Sequence, residues 1–156
     1  MIFLFAIIVV LFDQITKWFI QKHLFLGQSK QVISDFFQIT YTTNPGAAFS
    51  ILANAPVVFR TVFFLTISIV TILCIIFFSK RIAGFGAKFK ISFGLILGGA
   101  IGNLIDRIRF GAIVDFLDVG LGKYRWPIFN VADSSICIGA FLLFIFVLKQ
   151  DSINPL

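Results

Sequence analysis

Four of the seven carboxylates in the chain, Asp106, Asp115, Asp118 and Asp133, fall within one stretch, Gly98 to Ser134. That stretch begins inside one long apolar segment and ends at the start of another, and it also holds Asn103, Arg107, Arg109 and Asn130. Ionisable groups at membrane depth are costly and mark functional sites by default. Asp115 and Asp133 are suited to catalysis as a pair. One follows the third apolar segment and the other opens the fourth, at the same membrane level, with a connection short enough to fold back. Two carboxylates meeting in a low dielectric share a proton. One then deprotonates a water while the other protonates or hydrogen-bonds the carbonyl under attack. Such a dyad hydrolyses a peptide bond with no cofactor and no metal. Asn130 is placed as a helix N-cap with Asp133 at N3, where the helix N-terminus favours a carboxylate. Asp133 is therefore expected to carry more of the negative charge and Asp115 more of the proton.

Other chemistries lack their residues. His23 is the sole histidine and there is no Glu, so a H-E-x-x-H zinc hydrolase is excluded. Cys74 and Cys137 lie far apart inside apolar runs, with neither disulfide nor zinc spacing, and are expected as buried, inert thiols. Ser134 and Ser135 raise a serine nucleophile, which needs a neutral base. His23 lies at the opposite end of the chain at the outer interface, and Lys17 sits four residues from Asp13, which holds it charged. The net charge of +6 suggests nucleic acid, but basic residues flanking apolar spans set membrane orientation instead. From the residues alone, the catalytic dyad stands beside two alternatives: a small transporter or channel subunit with a polar interior site, and a membrane assembly factor.

The elements that must position these groups are membrane spans. Of 156 residues 59% are apolar and 13% charged, against about half and a quarter in soluble domains. The length accommodates about four spans. They are read at 2–22, 57–78, 91–108 and 130–148, within a single integral-membrane domain, 1–156. The first lacks a basic leader and a small-residue cleavage site and contains Asp13 and Lys17, so it is read as a retained helix. Asp13 and Lys17 are four apart on one face. They form either an internal pair that eases insertion, with Lys17 reaching outward, or support for a polar site in the bundle. Between the first two spans, 23–56, Phe37, Ile39 and Tyr41 alternate with Gln38, Thr40 and Thr42, which predicts strands. Asn44-Pro45-Gly46 marks a turn. The fold expected is an all-α membrane protein of four transmembrane helices with a small extracytoplasmic β-sheet cradle between helices 1 and 2. Lys80, Arg81, Lys88 and Lys90 make an acid-free loop that the positive-inside rule assigns to the cytoplasm, with both termini. The 23–56 and 109–129 connections then face outward. Gly94, Gly98 and Gly102 form a small-residue stripe for close helix packing. Asp118 is expected as a solvated loop acid and Asp106 as a partner of nearby basic groups.

Five motifs occur in order: Asp13-Gln14 with Lys17; Asn44-x-Gly46-Ala47-Ala48-Phe49; Gly98-Gly99-Ala100 with Gly102-Asn103-Leu104 and Asp106-Arg107; Val114-Asp115-Phe116; and Phe129-Asn130-Val131-Ala132-Asp133-Ser134. In this set the chain resembles the bacterial lipoprotein signal peptidase (signal peptidase II) family of membrane aspartyl endopeptidases. The resemblance implies a multi-pass protein of the bacterial cytoplasmic (inner) membrane with its active site at the outer face. The implied substrates are prolipoproteins carrying diacylglycerol on the Cys that becomes the new N-terminus, and the cut falls before that Cys. Asp115 and Asp133 match the catalytic pair. Asn44, Gly46, Asn103, Arg107 and Asn130 match positions at the substrate site, with Asp13 and Lys17 in support. It also implies inhibition by globomycin-type cyclic peptides, contact with membrane lipids, and neither a cofactor nor a nucleic-acid partner.

Overall fold

A computed structural model describes residues 1–46 and 55–151. The motif residues Ala47, Ala48 and Phe49 fall outside the described residues. Helix α1 is Ile2–His23, α2 Val57–Phe77, α4 Ala87–Phe110 and α5 Val131–Asp151, with a short α3, Ser79–Ala83, between α2 and α4. The four long helices are all long and apolar enough to cross a membrane. Their exposed surfaces are the ones a bilayer would solvate: Leu11, Phe12 and Ile15 on α1 and Phe141 and Phe144 on α5 all stand open.

Helix α4 is the hub, packed against α1, α2 and α5. The glycine stripe makes this possible. A methyl group on Gly98 would stand 2.7 Å from the Ala6 carbonyl oxygen of α1, and Gly99 faces Ala132 and Ile136 of α5. In lipid there is no hydrophobic drive between helices, so backbone-level contact supplies the attraction. α4 begins at Ala87, taking in Lys88 and Lys90, and ends where the Gly111 N–H closes on the Arg107 carbonyl at 3.0 Å, with Gly111 left-handed at φ 71°.

The sheet is larger than the 23–56 segment alone predicts. β1 (Ser29–Ile33) and β2 (Phe37–Asn44) form the expected hairpin, but β2 then pairs with β3 (Ile113–Leu121), which turns back into β4 (Tyr124–Arg125). All pairings are antiparallel. The stretch read as a connection between spans three and four is thus half of the sheet. Its apolar residues did not alternate because β3 is covered on both faces: Ile113, Val114, Asp115 and Phe116 are all buried. Asp118 is correspondingly not solvated. It is 5% exposed, accepts hydrogen bonds from Gln38 (2.6 Å) and Thr40 (2.9 Å), and pairs with Arg125 at 2.7 Å. The cysteines also depart from expectation, since Cys74 and Cys137 are both exposed on the helix surfaces.

Candidate active site

Three elements converge where α4 and β3 meet the start of α5. After β4 the chain runs back along β3, with Phe129 exchanging hydrogen bonds with Leu117 in both directions (2.7 and 3.1 Å). This return lays Asn130, the next residue, against Asp115. Asn130 then opens α5 with a reciprocal cap: its Oδ1 accepts the Asp133 N–H at 2.9 Å, and Asp133 Oδ2 accepts the Asn130 N–H at 3.3 Å. The expected N-cap and N3 acid thus form a capping box with Asp in place of Glu.

Asn130 also joins the two acids. Its Nδ2 donates to Asp115 Oδ1 at 2.6 Å. Asn103 does the same from α4, donating to Asp133 Oδ1 at 2.7 Å while its Oδ1 accepts from Asn130 Nδ2 at 3.2 Å. Asn44 reaches Asp115 from the end of β2 and accepts the Gly46 N–H at 3.0 Å, so the Asn-Pro-Gly turn fixes its amide. Asp115 is 1% exposed. Burial, reinforced by the neighbouring Asp133 carboxylate, pushes its carboxyl up to about 7, against the opposing pull of the hydrogen bonds from Asn130 and Asn44 and the charge of Lys17.

Behind this pair lies a second charged layer. Lys17 is buried, not turned outward. Its Nζ lies 2.9 Å from Asp13 Oδ2 and 2.8 Å from Asp106 Oδ2, and it donates to Asn103 Oδ1 at 3.1 Å. Asp13 Oδ1 accepts the Ala132 N–H at 2.9 Å, satisfying another orphan donor at the start of α5. Asp106 accepts the Val114 N–H at 3.0 Å and Gln14 Nε2 at 3.0 Å. Each buried charge is therefore paired and hydrogen-bonded, which is the condition for tolerating it in low dielectric. Gly102 makes room: a methyl group there would sit 2.6 Å from Asp13 Oδ2.

Asp115 and Asp133 line a groove of about 1290 Å³ that runs between the sheet, α4, α5 and α2 and includes Asn44, Gly46, Asn103 and Arg107. Asn130 and the Asp13–Lys17–Asp106 layer stand behind it. Every sequence-selected site residue is thus gathered at one place. Three contributors were missed. Ser68 accepts Arg107 Nη1 at 3.2 Å, and the Arg107 guanidinium stands 5.1 Å from the Phe64 ring centre; both residues are lost within the apolar run of α2. Gln14 bridges Asp13, Asp106 and the Gly102 carbonyl, and its place beside Asp13 was the available signal. Among the described residues no cluster of three or more His, Cys, Asp or Glu side chains is placed to hold a metal.

The family profile described as Signal peptidase (SPase) II matches residues 5–149. A lipoprotein signal peptidase of Syntrophus aciditrophicus is 44% identical over 144 residues, covering 92% of this chain and 89% of its own. One of Halothermothrix orenii is 40% identical over 154 residues, covering 99% of both. A bacterial membrane enzyme solved by the in meso method at 2.3 Å resolution superposes with a TM-score of 0.86 at 38% identity, over 97% of this chain and 89% of that one.

Proposed function

The chain belongs to the signal peptidase II family, and from that premise we propose that Asp115 and Asp133 cleave diacylglyceryl-modified prolipoproteins before the lipidated Cys. The observation that carries the aspartic assignment is the pairing of two carboxylates through Asn130, whose side-chain amide donates to Asp115 and whose backbone N–H donates to Asp133, at the wall of a groove bordered by membrane helices. In the resting pair the more buried Asp115, whose carboxyl titrates near 7, holds the proton. Asp133, at a helix N-terminus with two N–H donors on it, is the carboxylate. Asp133 takes a proton from water as the water oxygen bonds to the scissile carbonyl carbon. Asp115 gives its proton to the carbonyl oxygen. The tetrahedral diol then collapses: the C–N bond breaks, the amine leaves with the proton held by Asp133, and Asp115 recovers one from the diol. Asn44, Asn103 and Asn130 hold both carboxylates in place through this exchange, so little reorganisation accompanies it. No metal or cofactor enters.

The substrate's signal helix and acyl chains are lipid-soluble, so it reaches the groove from within the bilayer. α2 packs chiefly on α4, which leaves the groove mouth between α2 and α5 for that entry. The positive-inside rule assigns the α3 end and both termini to the cytoplasm and the sheet and dyad to the outer face of the cytoplasmic membrane. Globomycin-type cyclic peptides occupy the same groove. The test incubates purified protein with a lipidated and an unlipidated precursor. Cleavage of the lipidated one alone, abolished by Asp115→Asn and by Asp133→Asn, is expected. Equal cleavage of both precursors refutes the substrate, and survival of activity in either variant refutes the dyad.

A further inference from the structure

We infer that Arg107, held by Phe64 and Ser68 of α2, is the donor that recognises the ester carbonyls of the substrate's diacylglyceryl group; this rests on the peptidase reading above. The groove has two unlike walls. On the side of α4, α5 and the sheet, Asn44, Asn103 and Asn130 already spend their amides on the two acids and on one another. The α2 side carries no charge, with Phe64, Ile67, Ser68 and Thr71 on the lining. Arg107 spans from the first wall to the second. Its guanidinium lies over the Phe64 ring and its Nη1 donates to Ser68 Oγ. The Ser68 hydroxyl proton is given to the Phe64 carbonyl at 2.9 Å, which turns the oxygen's lone pairs toward the arginine. Ser68 and Phe64 thus act as positioning residues for a cation that faces the groove.

What remains is donor capacity. A guanidinium has five N–H donors in a fixed plane, and Ser68 occupies one. The groove's other arginine, Arg125, is committed to Asp118 through Nε and Nη2. Arg107 therefore presents open donors into the groove beside the α2 wall, within electrostatic reach of Asp115 and Asp133. The group seated there by a diacylglyceryl-cysteine is hydrocarbon except for its ester carbonyls and a thioether sulfur. Ester carbonyls seated against that wall need a donor, and a planar cation next to them is the strongest one within reach.

The experiment compares two precursors that differ only in linkage: an S-diacylglyceryl peptide and its S-dialkylglyceryl ether analogue, which keeps chain length and loses the carbonyls. The unmutated protein is expected to prefer the ester by about tenfold in kcat/KM, chiefly through KM, as one hydrogen bond to a charged donor implies. Ser68→Ala should shrink that preference toward unity while still cutting the ether analogue, Phe64→Leu should shrink it in part, and Arg107→Lys should lose more kcat/KM on the ester than on the ether. Cleavage by the unmutated protein with no ester preference overturns the proposal alone. So does an equal loss on both substrates in a variant whose thermal unfolding matches the parent. Failure of the unmutated protein to cut the ester precursor at all overturns the peptidase reading and this proposal with it.

Discussion

Asp115→Asn separates stability from activity. The Asp115 carboxyl is raised from 3.8 to about 7 in the fold, so the folded protein holds a proton there that the unfolded chain releases from about pH 4 upward. A raised carboxyl contributes its full relative stability below the unfolded value and loses it as pH rises through the folded one. The window is therefore about pH 4 to 7. At 1.36 kcal/mol per unit the total loss is about 4 kcal/mol, of which about 3 kcal/mol falls between pH 5 and 8. Asparagine keeps the shape and cannot ionise. Relative to the parent, Asp115→Asn should gain stability steadily from pH 5 to 7 and level off above, while hydrolysing nothing. Thermal unfolding in detergent micelles, followed by circular dichroism at pH 5, 6, 7 and 8, reads this directly. Asp133→Asn provides the control for coupling, because removing the neighbouring carboxylate should lower the Asp115 titration and flatten the parent's slope. A stability difference between Asp115→Asn and the parent that stays constant across the range would refute the argument that burial holds a proton on Asp115.

Other outcomes follow from the same geometry. The rate should fall on the alkaline side with an apparent midpoint near 7, as Asp115 loses the proton it donates; a pH–rate profile flat to pH 9 would count against that role. Gly102→Ala should destabilise by about 1–3 kcal/mol, as overpacking does, because its methyl group meets the Asp13 carboxylate at 2.6 Å; midpoints in denaturant titration measure it. Arg125→Gln should cost about 1 kcal/mol, since the pair is partly screened at an arginine 27% exposed. Hydrogen exchange should then rise first in β4 and the 126–129 return, and uniform exchange would refute the fastening role of the pair. Chelators should leave hydrolysis unchanged, as a metal-free dyad requires; loss of activity restored by added zinc would overturn it.

The spans were legible because twenty-residue apolar runs admit one explanation in lipid. That Asp115 and Asp133 meet was legible because acids are so few that position singles them out, and Asn130 and Asp133 carry a helix-start spacing that depends on nothing remote. What local pattern could not supply was long-range pairing. β3 reads as a featureless apolar connection, and only its partner β2, some seventy positions earlier, makes it a strand. The same limit hid Asp118: its hydrogen-bond partners Gln38 and Thr40 lie in β2, so sequence neighbours left it looking solvated. Ser68 and Phe64 were hidden for the opposite reason. In an apolar helix they carry no signal until Arg107 from another helix lies against them. Cys74 and Cys137 were misjudged because apolar surroundings in sequence mean lipid contact as readily as burial.

The charged layer behind the dyad also sets an order of events during biogenesis. α1 is made before α4 and α5, so it enters the membrane with Asp13 and Lys17 but without Asn103, Asp106 or the Ala132 amide, whose contacts span 86 to 119 residues. The i,i+4 pair lets α1 wait in lipid as a near-neutral unit. Arrival of α4 gives Lys17 its second carboxylate, and arrival of α5 gives Asp13 a helix end to cap and brings Asp133 to Asn103. α5 thus completes the ion network and brings the second acid of the proposed dyad into place. On the aspartic reading, a nascent chain stalled before α5 holds Asp115 without Asp133 and has no dyad with which to cut peptides.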